Sequence, residues 1–267
     1  MAWIEPAPAI AAALALLLAD LTPGLELIPR PTKPAYVAAP AARPTDTITG
    51  WVVDANDWLD MGFVGPAHRQ SALTNADLGT PLVILTSGGS IFYPVTLTEP
   101  SSAVANNTRL IPFAEERVKV AGRVIRRGGE RGIVIASVEE SPRKDTDVPR
   151  PAAETTTVEL IGWVTDLSCW VVRGETGAAF TTGTRDCAED GEPLVLVDDA
   201  GHMYYPVVHV TKTEPPDFTT LIKHIGHKVR VRGKVLTRGT ERAIMIDRVE
   251  AYAPDRSMET LRPGDSK

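Results

Sequence analysis

One stretch of this chain, from Thr49 to about Glu139, is written again from Ile161 to about Glu250. The first copy contains TGWVVD, GTPLVIL, SIFYPV and VKVAGRVIRRGGERGIVIASVE; the second contains IGWVTD, GEPLVLV, HMYYPV and VRVRGKVLTRGTERAIMIDRVE. Trp51, Asp54, Trp58, Gly79, Pro81 and Tyr93 return as Trp163, Asp166, Trp170, Gly191, Pro193 and Tyr205, each 112 positions later. One residue is then lost, so Gly122 answers Gly233 and Glu139 answers Glu250. A repeat this long exceeds a solenoid unit and is large enough to bury its own core, which predicts two similar globules in series.

Each copy reads as five strands, because β-branched or alternating runs are bounded by Gly, Pro, Asn or Asp. They are 50–54, 82–86, 91–97, 117–126 and 132–138, then 162–166, 194–198, 203–210, 228–237 and 243–249. The gap from Ser101 to Glu116 leaves room for a short helix or turn between strands three and four. The expected fold class is therefore all-β, two tandem five-stranded Greek-key barrels of OB type, preceded by a short apolar helix. The divisions are 1–28 for the apolar segment, 29–47 for a Pro/Ala-rich linker, 48–140 for the first barrel, 141–158 for a second linker, 159–253 for the second barrel and 254–267 for a polar tail.

Strand order, with the phrases "G, apolar, V, x, D", "G-x-P-L-V" and "V-x-V-x-G-x-V … R-G … I", resembles bacterial OB-like domains that often work outside the cytoplasm. Several of these carry a Cys after the first strand and a Cys-Ala pair before the second, as Cys169 and Cys187-Ala188 do here. The resemblance covers both copies and implies a scaffold and a range of binders, since this fold hosts many functions. Asp57 and Asn75 stand at the matching positions of the first copy, so a Cys-based activity is not shared between the copies.

Those two cysteines make a single pair, expected either as a disulfide adding about 3 kcal/mol in an oxidising compartment or as two thiols. A zinc site is not expected, because among His202, His209, His224, His227 and the cysteines only His224 and His227 are closely spaced. No phosphate-binding loop, dinucleotide fingerprint or nucleophile elbow is present, and RRGGERG reads as a hairpin turn. Asp54 and Asp166 fall at strand ends, where carboxylates cap turns. The chain is accordingly read as a non-enzyme with no catalytic residues, no metal and no cofactor.

Partners are read from three features. Bases alternate with valines on the fourth and fifth strands, placing Arg126, Arg127, Arg238 and Arg242 on outer faces or hairpin tips; they serve either as solvated charge or as a phosphate-contacting face. A net charge of −6 argues against a nucleic-acid binder working by bulk attraction. The four matched tryptophans read as packing residues, with Trp58 and Trp170 the candidates for an exposed anchor on a partner protein.

The third feature is the Ala/Leu run from Pro8 to Ala19. It is short for a membrane span, and no Lys or Arg precedes Arg30 as a secretory leader would require. It is read as a helix docking on a membrane or partner, a degenerate signal, or a packed helix. Together these features predict an accessory subunit of a membrane-associated complex, respiratory or photosynthetic, on the periplasmic side with a cytoplasmic alternative. Single-stranded nucleic-acid or polyanion binding through the basic hairpins is the second reading.

Overall fold

The computed structural model describes residues 46–97, 101–142, 151–208 and 219–253. The apolar segment 1–28, most of the first linker and the polar tail lie outside the described residues.

In the first copy, β1 (Asp46–Asp54) leads into α1 (Ala55–Met61) and α2 (Arg69–Asp77). There follow β2 (Leu82–Thr86), β3 (Ile91–Pro94), α3 (Ala103–Asn107), β4 (Arg117–Arg127) and β5 (Glu130–Glu140). The second copy repeats this with β6 (Ala153–Asp166), a π turn Cys169–Arg173, α4 (Thr181–Glu189), β7 (Leu194–Asp198), β8 (Met203–Pro206), α5 (Thr219–Ile222), β9 (Lys228–Arg238) and β10 (Glu241–Ala251). Each set of strands closes on itself, in the orders β1-β2-β3-β5-β4 and β10-β8-β7-β6-β9. With a helix between the third and fourth strands, this is the OB-fold, present twice.

The strand periodicity does its work in β4 and β9, where Val118, Val120, Val229 and Val231 point inward while Lys119, Arg123, Arg232 and Lys234 face out. Closure needs a sharp curl, and both copies supply it at the same place. The register slips by one residue opposite Gly122 and again opposite Gly233, where Ala136 and Asp247 bulge. Val52, Leu82, Ile84, Phe92, Val118 and Ile133 fill the first barrel; Val164, Leu194, Leu196, Val229, Val231 and Ile244 fill the second.

Two expectations need correction. The linker read as 141–158 ends earlier, since β6 begins at Ala153 and its first half pairs with β9 from Ala153↔Arg238 onward. The β-branched run Thr155-Thr156-Thr157 is a strand signal that the neighbouring prolines obscured. Nor are the barrels simply in series. A third apolar cluster joins Trp51, Val53, Trp58, Val83, Leu85, Ile91 and Tyr93 of the first to Leu167, Val171, Val195, Val197, Met203, Tyr205 and Leu236 of the second.

Candidate functional site

The joint between the barrels is where the repeat becomes geometry. Arg127, at the end of β4, lies over the Trp170 ring at 6.0 Å and donates to the carbonyls of Val171 and Val172, each at 3.4 Å. Its counterpart Arg238, at the end of β9, lies over the Trp58 ring at 4.9 Å and donates to Leu59 O at 3.4 Å, Asp60 O at 3.1 Å and Pro151 O at 2.6 Å. The matched rings of Tyr93 and Tyr205 stack on one another with centroids 6.3 Å apart. A side chain at Gly128 would run into the Gly201 carbonyl, and one at Gly239 would press on Gly89, which is Gly201's counterpart. These contacts mirror one another, as in a two-fold homodimer, although one chain supplies both sides.

This arrangement relocates several sequence-predicted residues. Trp58 is not an exposed anchor: it is 1 % exposed, under Arg238, and its partner is the other barrel of its own chain. Trp170 is half-buried in the same role. Arg238 is 7 % exposed, and burial lowers its pKa. Arg127 and Arg238 are thus engaged inside the molecule, leaving Arg126 exposed and Arg242 half-buried.

The basic strands of the second copy are partly neutralised by neighbouring acids. Glu159 on β6 meets Arg230 at 3.2 Å and Arg232 at 3.0 Å, and Lys228 meets Asp199 at 2.6 Å. OB-folds bind ligands on the face of strands two and three with the adjoining loops. Here those strands, with the turn after β1 and the β4–β5 or β9–β10 hairpin, are what each barrel turns toward the other.

At the centre of the joint lie two carboxylic acids that the repeat displayed and sequence reasoning passed over, Glu130 and Glu241 (ERG and ERA). They are 3 % and 2 % exposed and hydrogen-bond to one another. Glu241 also accepts from Ile91 N at 3.2 Å, Arg131 Nη1 at 3.1 Å and Thr240 Oγ1 at 3.0 Å. Burial raises the pKa of both, and the pair shares a proton, as two carboxyls in contact must.

Beneath the turn after β1, each barrel ties its helices differently. In the first, Asp54 caps α1 by accepting from Asp57 N at 2.7 Å; Asp57 accepts from Asn75 Nδ2 at 3.2 Å and from Ser71 Oγ at 2.7 Å. In the second, Asp166 accepts from Cys169 N at 2.7 Å, and Cys169 and Cys187 occupy the places of Asp57 and Asn75. Both sulfurs belong to thiols in this structure. The hydrogen bond to Cys187 and then burial push the Cys169 thiol upward in pKa.

Asp166, Cys169 and Cys187 present ligand atoms within 4.8 Å of one another. A cation there would face Arg173, whose Nη2 reaches Cys169 Sγ at 2.7 Å, so the donor set is poorly suited to a metal.

Glu115 was likewise missed. It holds a left-handed φ of 58° where the second copy has Gly226 at 76°, and both donate backbone N–H to the first strand of their barrel, at Val52 O and Val164 O. Its carboxyl accepts from Gly65 N, and burial pushes its pKa up to about 8. Burial does the same for Glu192, up to about 8, where Ser168 donates at 2.6 Å and Ser101 of the first barrel at 3.1 Å.

Fold and joint together define a fused pair of OB barrels. No protein-family model matches the sequence, and no curated protein does. Among solved structures, a chain described as "drosophila Unr CSD456" is similar at 10% identity and a TM-score of 0.20, over 79% of this chain. The aligned region spans 64% of that chain's length. Assignment to the OB-fold rests on strand order and closure.

Proposed function

We propose that this chain is a non-enzymatic accessory subunit of a membrane-associated protein complex on the periplasmic side of a bacterial membrane, with residues 8–19 as its attachment. The observation that carries the reading is the joint. Each barrel's usual ligand face is occupied by the other barrel, so the molecule offers partners its outer flanks rather than two open grooves. One flank feature is a cleft of about 370 Å³ bordered by Met61, Phe63, His68, Pro151 and Arg238, with Phe63 and His68 stacked at 4.2 Å.

The test is affinity purification of the tagged full chain from membranes in mild detergent. A stoichiometric protein partner in the membrane fraction is expected, and deletion of residues 1–28 should release the chain without changing the melting of the barrels. Recovery of the full chain alone from the soluble fraction would overturn the reading. Steep salt dependence of binding to single-stranded DNA would instead favour the polyanion alternative, for which Arg126 and Arg242 remain in reach of solvent.

A further inference from the structure

We infer that Cys169 and Cys187 are a redox pair whose disulfide locks the joint between the barrels. The pair sits at a position where each barrel already joins the segment after its first strand to the helix before its second. The first barrel does so with the Asp57–Asn75 hydrogen bond, and the second has two thiols in hydrogen-bonding contact. In the second barrel the tie can become covalent.

Both cysteines also adjoin the joint, Cys187 through its sulfur and Cys169 through the turn it opens. Cys169 opens the π turn whose next three residues, Trp170, Val171 and Val172, receive Arg127 from the first barrel. Cys187 Sγ accepts from the backbone N–H of Ser101, a first-barrel residue, at 3.4 Å. The Ser101 hydroxyl oxygen also lies 2.9 Å from Ser168 Oγ, one residue before Cys169. Fixing Cys169 to Cys187 therefore fixes the surface on which Arg127 and Ser101 rest.

The oxidant is a small-molecule disulfide such as oxidised glutathione. When the turn opens, the burial and the Cys187 hydrogen bond that raise its pKa are lost; Cys169 then gives its proton to solvent and, beside the Arg173 guanidinium, attacks one glutathione sulfur, so that the S–S bond breaks and a glutathione thiolate leaves. Cys187 loses its proton and attacks Cys169 Sγ of the mixed disulfide, expelling the second glutathione. Two protons and two electrons leave the pair, and one glutathione disulfide becomes two thiols. With both cysteines 1 % exposed, exchange proceeds through local opening of the turn.

The experiment incubates the reduced full chain with oxidised glutathione at a denaturant concentration just below the unfolding transition, so that burial does not prevent exchange. The chain is then unfolded with a maleimide and weighed. The expected product is two hydrogens lighter and takes no label without reductant and two labels with it. After removal of denaturant it melts about 6–12 °C higher and shows slower amide exchange at residues 170–173 and in the 126–131 hairpin.

Cys187→Ser should abolish the redox-dependent shift. The double substitution Cys169→Asp, Cys187→Asn, which installs the first barrel's pair, should do the same and keeps the test open if the single variant does not fold. Two labels whatever the redox treatment would overturn the pairing. A disulfide that leaves amide exchange of the 126–131 hairpin unchanged would overturn the lock.

Discussion

Arg127 and Arg238 are the same residue of the repeat in two strengths. Arg238 reaches three carbonyls and is closed off by Trp58, whereas Arg127 makes two longer contacts and keeps some water. Removing Arg238 leaves the Leu59, Asp60 and Pro151 carbonyls short of a charged donor inside the molecule. Arg238→Ala should cost about 2–3 kcal/mol in denaturant unfolding, and Arg127→Ala less.

Glu115 gives a pH signature. Its folded pKa of about 8 lies above the ordinary carboxylate value, so the proton it keeps stabilises the fold. That stability is fully present below the ordinary value and is lost as pH rises through about 8. Unfolding free energy should fall between pH 5 and 8, with Glu192 acting in the same direction. Glu115→Gln should flatten the slope by up to one proton's share; an unchanged slope would mean that Glu115 is ionised in the fold. Nothing in the sequence set Glu115 apart except that glycine stands at its place in the second copy.

At the scale of elements, β2 and β7 show what was legible and misread. LVIL and LVLV are unbroken apolar runs, and a strand that alternates between core and water does not look like this. Leu82 and Ile84 fill the barrel while Val83 and Leu85 leave it for the joint. The runs located the strands well, with 82–86 and 194–198 matching to the residue, and also signalled a second covered face. Which body covers it depends on how the barrels meet, which strand periodicity does not encode.

The β4–β5 hairpin offers a sharp comparison. Gly128 and Gly129 both have positive φ, of 57° and 94°, but only Gly128 abuts the other barrel. Alanine at either position incurs the left-handed backbone cost of about 1 kcal/mol. Gly128→Ala should add about 1–3 kcal/mol for intrusion on Gly201. Equal losses in thermal or denaturant unfolding would show that the hairpin tip does not bear on the second barrel.

For the molecule as a whole, the shared apolar cluster makes the barrels unfold together. Trp58→Ala, which empties a site facing Arg238, should lower stability by about 3–5 kcal/mol and shift both barrels at once. Far-ultraviolet circular dichroism and tryptophan fluorescence should report one coincident transition; two separated transitions would mean that the joint contributes little.

The matched contacts around the joint have a consequence for how such a chain can change. A dimer of identical subunits must satisfy each half of its contact with the same residues. Here a connection of a dozen residues between β5 and β6 holds the halves at high effective concentration, so docking is intramolecular and tolerates a poorer fit. Each side is then free to diverge alone, as a thiol pair beneath one barrel and a carboxylate–amide pair beneath the other already have. When the joint opens, the same likeness lets either barrel accept a half from a neighbouring chain, so exchange into domain-swapped pairs is the form of self-association to which this molecule is predisposed.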